Sequence, residues 1–139
     1  MIEKIFSKVE KDKLLHIIYR PDNTQIDYRE NIVEPDNFIQ CSFLQLPKNK
    51  TFAPHRHIKK DRRYEQQIAQ ESWVVLSGSV KCIFYDLDNT IISTPILNSG
   101  DASFTLEGAH TYEILEENTT VYEYKTGPYE GQEFDKEFI

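Results

Sequence analysis

The chain has 139 residues, 39% of them hydrophobic and 28% charged. That is enough for one domain with a real core, too little for two, and too apolar for a disordered chain. A net charge of −7 excludes broad binding to nucleic acid or to an anionic membrane, which needs a basic face, and no apolar run is long enough to span a bilayer.

Residues 2–9 place Ile2, Ile5, Phe6 and Val9 at i, i+3, i+4 and i+7, which predicts one short amphipathic helix. The N-terminal stretch MIEKIFSKVEKDK is charged at short intervals and has no apolar h-region, so it does not read as a signal peptide. Cys41 and Cys82 lie in strand-like segments and read as buried free thiols, so a cytoplasmic address is expected.

From residue 14 the pattern becomes that of strands. LLHIIYR (14–20), NFIQCSFLQL (37–46), SWVVL (72–76), SVKCIFYDL (79–87), TIISTPIL (90–97), ASFTL (102–106), HTYEIL (110–115) and TVYEYK (120–125) are rich in β-branched and aromatic residues. Turn formers separate them at 77–78, 86–89, 98–101, 107–108 and 116–118. About eight short strands with barely any helix predict a single all-β domain over 1–139, a sandwich or a barrel. Two stretches break the rhythm: residues 58–70, and a tail from 126 on. The tail's Tyr129, Phe134, Phe138 and Ile139 are expected to pack on the domain or on a second subunit.

Side chains two apart on a strand share a face, so His55 and His57 can grip one ion together. Glu71 alternates with Trp73 and Val75, and His110 with Tyr112 and Ile114. Three imidazoles and a carboxylate from three strands can converge on a divalent zinc, iron, nickel or manganese ion and leave open positions on it. His16, in LLHIIYR, reads as a packed or surface residue and not as a ligand. Tyr112 is a candidate proton donor, but an aromatic on an inner face is more often core. The cluster Lys59, Lys60, Arg62 and Arg63 would suit an anion-accepting rim, though charge runs are usually solvated faces. No phosphate-binding glycine loop and no nucleophile elbow are present.

The sequence resembles the cupins. Their first motif, H-x-H followed by a glutamate, six residues and a glycine, is matched by His55-Arg56-His57, Glu71, SWVVLS and Gly78. Asn49 replaces the motif's opening glycine, and thirteen residues separate His57 from Glu71. The second motif is matched by Gly100-DASFT-Leu106-Glu107-Gly108-Ala109-His110, with leucine for proline. The resemblance covers about 38–125 and implies a jelly-roll (RmlC-like) β-barrel. It also implies a metal held by His55, His57, Glu71 and His110, with Glu65 or Gln70 as alternatives to Glu71, and a homodimer. The segment from Gln70 onward is similar to the WbuC-type and WxcM-like groups, which implies a place in surface-polysaccharide metabolism.

Three functions compete. One is a metal-dependent enzyme acting on a small sugar-derived or anionic molecule, with Lys59, Arg62 and Arg63 at the binding rim. Another is a non-catalytic sensor of such a ligand. The third is a metal-free sugar-nucleotide isomerase or epimerase using His110 and Tyr112 as base and acid.

Overall fold

The computed structural model describes residues 1–21, 29–45, 48–56, 68–127 and 137–139. Among them it has strands and no helix. The chain opens with β1 (Ile2–Phe6), antiparallel to β2 (Leu14–Tyr19), where a helix was expected. A lone two-turn helix is marginal in water. The edge of β2 instead offers a hydrogen-bonded ladder to a segment whose Ile2 and Ile5 suit a strand. The helical stripe is not buried as a unit: Ile5 is inside, while Phe6 and Val9 are exposed.

β2 is buried from Leu15 to Tyr19 because both of its faces are covered. Ile17 and Tyr19 enter one apolar cluster and Ile18 the other, which is why LLHIIY reads as a continuous apolar run. β3 (Arg29–Asn31) and β4 (Ser42–Leu44) pair with each other. The strand expected over 37–46 contracts to three residues. Upstream of it the Gln70 side chain, not a ladder, takes up the Ile39 N–H at 2.8 Å.

β5 (Glu71–Ser77) and β6 (Ser79–Tyr85) match the sequence reading closely. The strand expected over 90–97 breaks into β7 (Ile91–Ser93) and β8 (Ile96–Asn98) around Pro95, which has no N–H to donate. β9 (Ala102–Thr105), β10 (His110–Ile114) and β11 (Thr120–Lys125) follow.

One sheet runs β1-β2-β9-β5-β11. A second runs β10-β6-β7, with β8 also paired to β6. Ile18, Val75 and Val121 of the first meet Val80, Cys82, Phe84 and Leu97 of the second, so the two sheets face each other across an apolar layer. Ile32, Val33, Ile39 and Phe43 cover the far side of the five-stranded sheet through Ile17 and Phe104. Among the described residues the sheets form an open sandwich and not a closed barrel, because no ladder joins their edges. Strand spacing and alternation are the same for either architecture, so the sequence pattern cannot separate them.

The chain passes from sheet to sheet at Gly78, Gly100, Gly108 and Asn118, all at positive φ. Gly108 matters most for the site. A Cβ there would lie 2.9 Å from the Tyr85 carbonyl oxygen and 3.2 Å from His16 Nε2, at a φ of +88°. Gly108→Ala is therefore expected to cost about 1–3 kcal/mol. In urea denaturation this would appear as a lower midpoint with an unchanged slope. Among the described residues no helix is long and apolar enough to cross a membrane.

Candidate functional site

Glu71 opens β5 on one sheet and His110 opens β10 on the other. The corner at Gly108 delivers His110 to the sandwich interior directly after β9, the strand that pairs Thr105 with Glu71. Across the gap, His110 Nε2 lies 3.0 Å from Glu71 Oε1. Both side chains are mostly buried, at 23% and 13% exposure. The same distance serves a hydrogen bond, and it also separates adjacent ligand atoms around a divalent ion with bonds of about 2.1 Å. The other ring nitrogen, His110 Nδ1, is buried with no hydrogen-bond partner among the described residues.

Tyr112 follows on the same face of β10 and stacks on Trp73 of β5, ring centroids 3.9 Å apart and planes within 12°. Its hydroxyl is 3.4 Å from Ser103 Oγ. Burial pushes the Tyr112 phenol far above its ordinary pKa, and the Ser103 contact offsets this only slightly. Tyr112 is thus a neutral wall residue that holds its proton. Trp73 Nε1–H donates to Glu123 Oε2 at 3.1 Å.

Glu71, Trp73, His110, Tyr112 and Glu123 line a cavity of about 660 Å³ between the sheets, together with Tyr85, Thr105, Glu107, Phe138 and Ile139. Phe138 and Ile139, at the end of the tail, border the cavity, and both remain largely exposed. Tyr129 and Phe134 of that tail lie outside the described residues.

Beneath the cavity, His16 is fully buried, the packed one of the two settings its sequence allowed. It stacks on Phe84 at 4.2 Å. Its Nδ1 is 3.1 Å from Thr105 Oγ1, and its Nε2 is 3.4 Å from the Tyr85 carbonyl. A carbonyl can only accept, so this network assigns the proton to Nε2 and lets Thr105 donate to Nδ1. Desolvation lowers the His16 pKa to about 4, against a smaller upward pull from the Tyr85 carbonyl.

The sequence-based ligand set is brought together in part. Glu71 and His110 meet, while His55 lies in an exposed stretch with Nδ1 3.1 Å from the Ala53 carbonyl. His57, Lys59, Lys60, Arg62, Arg63 and Glu65 lie outside the described residues. Among the described residues no three His, Cys, Asp or Glu side chains gather as a metal-holding group. Gln70, an alternative to Glu71, directs its side chain to the Ile39 N–H at 2.8 Å and to Asn37 at 3.4 Å. The two cysteines are free thiols. Burial raises the pKa of both, that of Cys82 to about 12, so neither is a thiolate nucleophile.

Glu107 and Glu123 were not anticipated as cavity residues. Glu123 reaches the wall because β11 pairs it with Trp73. Its alternation with Val121, which packs into the inter-sheet core, is the signal that could have found it. No family model matches the chain, and neither a curated protein nor a solved structure is significantly similar to it.

Proposed function

We propose that this chain is a metal-binding protein of the cupin type that binds or transforms a small sugar-derived molecule in the cavity between its sheets. The single observation that carries the reading is the approach of Glu71 Oε1 to His110 Nε2 at 3.0 Å from opposite sheets. A carboxylate oxygen and an imidazole nitrogen are apt donors for zinc, iron, nickel or manganese. His55 and His57 would complete the set. A jelly roll is the finer description that the fold supports, since the chain changes sheet at each of its glycine corners.

In this reading the bound ion supplies Lewis-acid polarisation of a substrate oxygen. Glu71 and His110 would hold the ion from opposite sheets. Trp73 and Tyr112 keep one wall dry, and the cavity is large enough for a small ligand. Whether the molecule is an enzyme or a sensor turns on the reactivity of that ligand. A place in surface-polysaccharide metabolism, a cytoplasmic address and a homodimeric state extend the same proposal.

The Glu71–His110 contact also favours a second reading, a carboxylate-oriented imidazole acting as a metal-free general base. In it Tyr112 is a poor partner acid, because its phenol is held far from titration. Cobalt(II) added to chelator-treated protein separates the two. The metal reading expects a visible absorption band saturating near about one equivalent and lost in His110→Ala. A folded wild type that shows no band supports the general base.

A further inference from the structure

We propose that the cavity selects a small ligand bearing a protonated amine, seated against Trp73 and Tyr112 and held by the carboxylates of Glu107 and Glu123. The inference rests on the reading of this cavity as the ligand site, and not on the metal.

Two independent features point the same way. The first is the aromatic wall. Trp73 and Tyr112 form a parallel stack that borders the cavity, with Tyr85 and Phe138 also on its lining. Indole is the best of the side-chain faces for a cation. The second is the sign of the charge. Glu71, Glu107, Glu123 and Glu137 all line the cavity. Lys13 pairs with Glu107 at 2.7 Å, whereas Glu123 accepts from the uncharged Trp73 N–H. Among the described lining residues carboxylates outnumber cations, with Lys13 offsetting Glu107, and a concave wall with an excess of one sign focuses its field into the space it encloses.

The same wall opposes a carboxylate or phosphate ligand. Such an anion would face the carboxylates of Glu71, Glu107 and Glu123. The acidic and aromatic groups therefore set substrate class: an amino sugar or another hydroxylated amine, in preference to a sugar acid or sugar phosphate.

Trp73 is the one tryptophan in the chain, so its emission reports on the cavity directly. The test titrates the protein with glucosamine, glucose and glucuronate, which share a ring and differ in charge. Glucosamine is expected to give a saturable change in emission, with affinity at least about tenfold above the other two. Glu123→Gln, an exposed position whose folding is checked by its melting curve, should weaken glucosamine binding about fivefold. Added salt should weaken it as well. Tighter binding of glucuronate, or no saturable response to glucosamine, overturns the inference. A cobalt band without a glucosamine response sinks this proposal and leaves the metal reading standing. A glucosamine response without a cobalt band does the reverse.

Discussion

Phe84→Ala is expected to lower the free energy of unfolding by about 3–5 kcal/mol, the range for removing a large aromatic from a close-packed core. Phe84 is fully buried between the sheets and belongs to the cluster of Ile18, Val75, Val80, Cys82 and Leu97. It also stacks on His16 at 4.2 Å with planes within 10°, and it is the ladder partner of His110. The substitution thus empties space under the cavity floor and loosens the strand that presents His110. Urea denaturation measures the stability loss, and a loss below about 1 kcal/mol would mean that this core collapses to fill the gap. Phe84→Leu, which keeps most of the volume, should be much milder.

Acid is expected to destabilise the protein in a window set by His16. Its pKa is 6.5 in an ordinary setting and about 4 when folded, so between these values the unfolded chain binds the extra proton. Stability then rises with pH: the contribution is complete above 6.5 and is lost as pH falls toward 4. A shift of that size corresponds to about 3 kcal/mol. The cause is burial of the ring against Phe84, which disfavours the imidazolium.

Asp86 acts further down the scale. Burial works to raise its pKa, but hydrogen bonds from the Ser7 hydroxyl and the Lys8 and Leu87 N–H groups outweigh this and hold the carboxyl below its usual value. Its contribution is present above the ordinary carboxylate range and fades as pH falls through the lowered folded value. Unfolding curves taken across the acid range would show the His16 window as a slope that flattens in His16→Asn. An unchanged slope in that variant would assign the acid sensitivity to other groups.

The strands were legible where β-branched and aromatic runs lie between glycine or asparagine corners, as with SWVVL, Gly78 and SVKCIFY. They were not legible at the N-terminus, where Ile2, Ile5, Phe6 and Val9 fit a helical stripe but β2 offered an open edge. A three-residue strand such as β3 leaves too short a pattern to read. The meeting of Glu71 and His110 could be anticipated because each opens a strand in phase with inward apolar residues. The role of Glu123 was obscured by its neighbours. TVYEYK offers tyrosines on one face and Val121 with Glu123 on the other, and apolar content alone would turn the tyrosines inward. In the fold Tyr122 and Tyr124 are exposed, and Val121 packs inside. The irregular register between Thr120 and Val121 has no visible signature in the sequence.

Metal content decides the central proposal most directly. Wild-type protein and His57→Ala, both purified without an affinity tag, would be measured by elemental mass spectrometry. About one equivalent of a transition metal in the wild type, lost in the variant, is the expected result. Neither protein holding metal, even after reloading with zinc, iron, nickel and manganese, would contradict it and turn attention to Glu71 and His110 as a metal-free acid–base pair.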